Sequence, residues 1–311
     1  MNKKLFHYTS IEAARSIVLS QSFWATNYTT FEDTNELYAG LNPIISYLNK
    51  KGHLNGFSLF LEKQLSDISK DSSMYNFYCI SFCTEDDSDF MKEHYAKDGC
   101  CLIFDKEKLL NSFLFKKSNI PDGSDALISV VSDNYIPCLY LIQSDIEKQV
   151  NFYLDGLKLK ETVNGREQMI PFDCTSKNVI IRQLSWDDIN NPDKAFNDLP
   201  CIGITENLIN LIKPALHMKL AKTPHGYEYE KEERIVLITP SNIPEKSNGN
   251  KRYIEIKLNP DNFFEALQGI KIYPETIDKK FLLNKIKSIN DKLISQKIIS
   301  KTIDIFHDFD K

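Results

Sequence analysis

The run Tyr227-Glu228-Tyr229-Glu230-Lys231-Glu232-Glu233-Arg234-Ile235-Val236-Leu237-Ile238 constrains this chain more than any other stretch. Its apolar second half reads as a buried strand. Its first half alternates aromatic and acidic residues. On a strand, that alternation sets Glu228, Glu230 and Glu232 on one face and Tyr227, Tyr229 and Glu233 on the other. Carboxylates at spacing two repel one another. Either cations such as Arg234, Lys219 or Lys222 compensate them at a salt-bridged edge, or they are kept for chemistry.

The rest of the chain supplies the partners of this strand. Short apolar runs predict strands over 5–9, 22–27, 75–83, 100–104, 134–141, 253–258, 270–273 and 303–306, with Pro137 placing its strand at an edge. Helical spacing follows the first run, with Ile11, Ala14, Ile17 and Val18 as the buried stripe. Thr9 and Glu12 read as a capping box, and Ser10 is a second cap candidate. Asp33 and Glu36 form another box, opening a helical region to about residue 51 that Pro43 should break or kink. Further helices are expected over 54–71, 90–96, 105–113, 143–160, 262–268 and 277–296, and over 205–222 with an interruption near Pro214. From 161 to 200 only turns are legible, at Asn164-Gly165 and Asn191-Pro192. Hairpin-like strand neighbours mixed with helices predict an α+β class, as one domain over 1–311 with a helical or irregular insertion around 106–200.

Composition narrows the function classes. A chain of 311 residues with 42% hydrophobic and 26% charged residues has the profile of a soluble globular protein. Its net charge of -5 argues against a protein built mainly to coat nucleic acid, while leaving room for a local basic patch. No apolar run reaches membrane-spanning length and the first residues lack a signal-type apolar core, so a cytoplasmic protein with no membrane partner is expected. Seven cysteines, an odd number in a chain of this size, do not suggest a disulfide framework. Cys79, Cys83, Cys100, Cys101 and His94 are too loosely spaced for a zinc site, and buried structural thiols are expected instead. Gly-x-Gly-x-x-Gly and Walker loops are absent, so any nucleotide is held in another way.

Three features carry chemistry: His7 at the end of the first strand, Tyr95 after His94, and the late Glu230 and Glu232. No serine or cysteine sits in a nucleophile elbow. Two carboxylates two apart on a strand are roughly 7 Å apart at the backbone. Pointing the same way, they suit one catalytic and one orienting carboxylate better than a pair flanking a bond. A carboxylate, a histidine and an aromatic ring without a metal fit cleavage of an N-glycosidic bond, whose transition state develops oxocarbenium charge. Other readings stay open: His7 bonded to a neighbouring loop, Tyr95 in a packed core motif, and Trp24 with Phe31 in the core.

The order and spacing of several stretches resemble a bacterial family catalogued as domain of unknown function 2971. They are His7-Tyr8-Thr9-Ser10 with Ala14 and Ile17; Phe23-Trp24-Ala25-Thr26; Phe31 to Glu36; Ser81-Phe82-Cys83 with Met91 to Ala96; Gly99 to Asp105; and Tyr229 to Arg234. The chain departs from that pattern at Lys92, at Glu32-Asp33-Thr34 and at Glu233, changes that can alter a substrate wall. The opening His-Tyr-Thr and the late Glu-x-Glu also resemble the ADP-ribosyltransferase superfamily. That resemblance implies a split β-sheet core with inserted and flanking helices. It further implies cleavage of the nicotinamide–ribose bond of NAD, consumed as substrate, with ADP-ribose passed to a nucleic acid or protein acceptor. Carried over, His7, Tyr8 and Thr9 would bind NAD, Tyr95 or else Tyr8 would stack on it, and Ser81 would brace the catalytic carboxylate. Glu232 would be catalytic and Glu230 accessory. Relatives of this kind act in phage defence or as toxins. NAD hydrolysis, or a non-catalytic sensor module that binds a nucleotide or a protein, is the alternative.

Overall fold

The computed structural model describes residues 4–31, 35–50, 75–96, 99–114, 129–130, 135–163, 166–171, 210–220, 227–240, 244–273 and 305–307. The chain divides into two compact units, residues 1–27, 77–138 and 222–311 in one, and 28–76 with 139–221 in the other.

The first unit is built on a mixed α/β plan around one large sheet, eleven strands among the described residues. Its strands are β1 (Lys4–Ser10), β2 (Ser22–Asn27), β3 (Tyr75–Cys83), β4 (Gly99–Asp105), β5 (Ser129–Val130), β6 (Ile136–Pro137), β11 (Glu232–Pro240), β12 (Lys246–Asn248), β13 (Lys251–Lys257), β14 (Leu267–Ile272) and β15 (Ile305–His307). They run in the order β12-β13-β2-β3-β1-β4-β14-β15, with β11 beside β3 and the short β5 and β6 on β11. Antiparallel pairing dominates, with a parallel pair β14–β15 at one end.

Helix α1 (Ile11–Ser20) follows β1 without a loop. Ser10 caps it, accepting from the Ala13 N–H at 3.2 Å, and the predicted stripe of Ile11, Ala14, Ile17 and Val18 is buried. Thr9 therefore stays in the strand. Gln21 ends the helix at φ 45°, and its side chain donates to the Val18 and Leu19 carbonyls. Alternation then sorts the sheet into two faces. Leu5, Phe82, Leu102, Phe104, Phe23, Ile254 and Ile270 join α1 in the main core. Phe6, Tyr8, Cys83, Cys101, Ile103 and Tyr273 form a smaller cluster on the opposite face. Where β1 meets β4, Gly99 lies so close to Thr9 that a Cβ there would stand 2.1 Å from the Thr9 carbonyl oxygen. Only glycine permits that register.

The strand that organises this sheet is β3, because it has three partners and a strand has two edges. It meets β1 at its C-terminal end through Phe6↔Cys83, and β2 further back through Thr26↔Cys79 and Asn27↔Tyr78. Two arms of the sheet, β2-β13-β12 and β1-β4-β14-β15, part from it. On its other edge the Thr84 N–H donates to the Lys231 carbonyl at 2.9 Å, just before β11 begins.

The other unit contains α2 (Asn35–Lys50), β7 (Leu139–Leu141), the helix Gln143–Asp155, the hairpin β8 (Lys158–Val163) with β9 (Arg166–Pro171), a helix over 210–217, and β10 (Met218–Leu220). Tyr47 donates to Asp155 at 2.7 Å and Tyr28 to the Leu216 carbonyl at 3.2 Å, tying its helices together.

Several expectations need correction. Pro43 does not break α2, which runs continuously past it. The expected strand over 134–141 is two strands: β6 pairs with β11 and β7 with β10. Residues 161–200, which showed only turns, contribute to the β8–β9 hairpin. Trp24 is not core; it is 43% exposed. The helices expected over 54–71 and 277–296, the Asp33 cap and the turns at Asn164-Gly165 and Asn191-Pro192 lie outside the described residues.

Candidate functional site

The acidic stretch does not form one strand. Tyr227–Glu230 is a turn of 3-10 helix and β11 starts at Glu232. Between them Lys231 adopts φ 44°, the left-handed region, which turns the chain so that Glu230 leaves the strand's alternation. Thr84 fixes the corner by donating from both its N–H (2.9 Å) and its hydroxyl (3.0 Å) to the Lys231 carbonyl. The reading of Glu228, Glu230 and Glu232 as neighbours on one strand face is thus corrected by a single backbone turn.

Glu230 and Glu232 then meet different partners. Glu230 is 4% exposed and accepts a 2.6 Å hydrogen bond from the Tyr95 hydroxyl. Tyr95 ends the helix Asp89–Tyr95 and is itself 48% exposed. Glu232 is gripped by Arg234 through two parallel bonds, Nε to Oε1 at 2.7 Å and Nη2 to Oε2 at 2.9 Å, with both side chains buried. Such a fork is the geometry in which guanidinium holds carboxylate best. Cys83 lies on the same side of the sheet. Burial pushes its thiol up to about 11, aided by the charges of Glu85, Glu230 and Glu232 although a hydrogen bond to the Glu85 carbonyl opposes this, so it stays protonated at neutral pH.

Residues of the first strand divide between faces. Tyr8 points to the face of Cys83 and Cys101, lies parallel to Tyr273 at 6.1 Å, accepts from the Ser88 N–H and donates to the Glu85 carbonyl, each at 3.1 Å. It thereby braces the loop leading into the helix that carries Tyr95. Ser81 alternates with the core residues Ile80 and Phe82, so it is on that face too, with its hydroxyl 3.5 Å from the Cys79 sulfur. Thr9 and His7 point the other way. The His7 ring packs edge-on to Phe23 at 5.2 Å and against Phe82 at 5.7 Å.

His7 sits where β1 and β3 part, with Nδ1 3.1 Å from the Ser81 carbonyl oxygen. A carbonyl can only accept, so Nδ1 carries the proton and the neutral ring presents Nε2 as an acceptor. Burial lowers its pKa from 6.5 to about 4, against a smaller raising effect of the Ser81 bond. Between those values the unfolded chain binds a proton that the folded ring refuses. The stability this contributes is fully present above about pH 6.5 and is lost as pH falls toward 4. Nitrogen-resolved NMR should therefore show His7 still neutral at pH 5, and a ring that titrates near 6.5 would contradict the packing described.

β1 and β11 both adjoin β3 here, β1 through Phe6↔Cys83 and the corner before β11 through the Thr84–Lys231 bond. The fold thus brings the first strand and the late acidic stretch to the C-terminal end of β3. It groups Glu230, Glu232, Tyr95, Tyr8 and Ser81 on one face and His7 with Thr9 on the other.

Comparison with family models, curated proteins and solved structures yields no match.

Phe90 and Tyr229 went unremarked as site residues. Phe90 stacks on His94 at 4.1 Å and approaches Tyr229 at 6.2 Å, linking the helix that carries Tyr95 to the turn that carries Glu230. The alternation of tyrosine and glutamate over 227–230 was its only sequence signal. The five cysteines among the described residues are all buried and free, and those residues hold no group of three or more potential metal ligands. No described helix is long and apolar enough to cross a membrane.

Proposed function

We propose that this chain is an ADP-ribosyltransferase-like enzyme that cleaves the nicotinamide–ribose bond of NAD and transfers ADP-ribose to a macromolecule. The observation that carries the reading is the Tyr95–Glu230 pair: a buried carboxylate bonded to a half-exposed ring, beside the point where the sheet divides. In this reading Tyr95 forms the wall against which the leaving base lies, and its hydroxyl holds Glu230 at one oxygen. Glu230 stabilises the positive charge that develops on the ribose as the glycosidic bond breaks. His7, on the other face where β1 and β3 part, accepts a ribose hydroxyl through Nε2 in this reading. Glu232, paired with Arg234, fixes the start of β11 and so the position of Glu230. The divided sheet and flanking helices accord with the transferase-like core inferred from the resemblance. The two carboxylates exchange the roles inferred from it, because Arg234 occupies both oxygens of Glu232.

One observation favours a second reading. Both carboxylates are already engaged and buried, as expected of a module that binds a nucleotide or a protein without turning it over. Incubating the purified chain with NAD and a cell extract separates them. Release of nicotinamide with label on an extract macromolecule is the expected result. Nicotinamide release with free ADP-ribose identifies a hydrolase, and NAD left intact overturns the enzymatic reading.

A further inference from the structure

A second surface lies on the β2-β13-β12 arm. Trp24 on β2 stacks on Tyr253 of β13 with ring centroids 4.1 Å apart and planes at 17°. Tyr253 is 8% exposed beneath it, whereas Trp24 is 43% exposed, so the indole has one face covered and the other toward solvent. Register puts cations around it. Lys246 pairs across from Tyr253, Glu255 across from Trp24, and Lys257 across from Ser22. Residues 251, 253, 255 and 257 alternate onto this one face, so Lys251 joins Lys246 and Lys257 there. The single acid among them, Glu255, is spent internally: it accepts from Ser22 and Lys257 at 2.7 Å each, and from Lys246. The face therefore combines a supported, solvent-facing indole with a lysine rim of net positive charge, on a chain that is acidic overall.

We propose that this arm is a binding platform for single-stranded nucleic acid, one base stacking on Trp24 while Lys246, Lys251 and Lys257 meet the adjoining phosphates. A solvent-facing aromatic on a sheet recognises the π-face of any base, and lysines around it supply the salt-dependent attraction of the backbone. The acidic surroundings of Tyr95 offer no such complement, since Asp86, Asp87, Asp89 and Glu93 precede it closely in sequence and Glu228 lies two residues before its partner Glu230. The platform does not depend on NAD cleavage, so either proposal can fail alone.

The test is fluorescence anisotropy of labelled oligothymidylate and oligouridylate with the full chain, at low and then raised salt. Both are expected to bind more tightly than a duplex of equal length, whose bases are already stacked. Trp24→Ala is expected to weaken binding by about 5- to 150-fold, and Trp24→Phe by less. Lys246→Ala with Lys251→Ala should reduce the salt slope by about 1.4, two phosphate contacts at the single-strand value. A cross-strand pair that only stabilises the arm would behave differently: Trp24→Ala would lower the unfolding midpoint and leave affinity unchanged. That result, an absence of binding at low salt, or equal competition by oligoglutamate would overturn the proposal.

Discussion

Glu230→Gln is expected to lower nicotinamide release by about 10²- to 10³-fold, a loss of roughly 3–4 kcal/mol of transition-state stabilisation. The amide keeps the shape of the side chain, and its oxygen still accepts the Tyr95 hydroxyl now bonded to Glu230 at 2.6 Å. What it removes is the negative charge that answers the oxocarbenium ion. NAD affinity should stay within a few-fold of wild type, because the ground-state substrate does not carry that ribose charge. Glu232→Gln serves as the control, since its carboxylate faces Arg234 rather than Tyr95. Its effect should appear mainly as a lowered unfolding midpoint. Single-turnover release of nicotinamide, measured beside the NAD dissociation constant, separates the two. Equal turnover by Glu230→Gln and wild type would remove Glu230 from the chemistry; a larger rate loss in a fully stable Glu232→Gln protein would restore the roles inferred from the resemblance.

How far the sequence could be read depended on the range of the forces involved. The α1 stripe and the strands around Cys79, Ile103 and Ile254 were legible because burial on one face imposes a short period. Ser10 as cap was visible too, although Thr9 competed for the role and register with Gly99 decided it. Where the reading failed, a contact distant in sequence had overridden the local pattern. Lys231 turns the acidic stretch because Thr84, 147 residues away, holds its carbonyl. The segment over 134–141 looked like one strand, yet its halves answer to β11 and β10. Residue type alone suits Trp24 to the core, and only the burial of its neighbours Phe23 and Ala25 on the other face turns it outward. Of the candidate site, the residue types were readable and the faces were not. Alternation separates His7 from Tyr8 reliably, but which face Glu232 shares follows from β11 lying beside β3, a pairing across the length of the chain.

Arg234→Met is expected to cost about 3–5 kcal/mol of folding stability, the usual result of stripping the partner from a buried charge. Arg234 is 2% exposed and Glu232 8%, so the carboxylate left behind has little access to water. The loss should be felt at the start of β11, where Arg234 pairs with Ile136 and Glu232 offers its carbonyl to the Cys138 N–H at 2.9 Å. The double substitution Glu232→Gln with Arg234→Met removes the charge as well as its partner. It should recover a large part of the loss, because a neutral amide is far cheaper to bury than a carboxylate. Urea midpoints for the two single variants and the double close the cycle, with a coupling of about 0.5–3 kcal/mol expected between contacting residues. Additive effects would mean that Arg234 anchors the strand through contacts other than Glu232. A strong coupling, together with nicotinamide release that tracks the folded fraction in every variant, assigns the pair to holding the corner at Lys231, and through it the carboxylate of Glu230, in place.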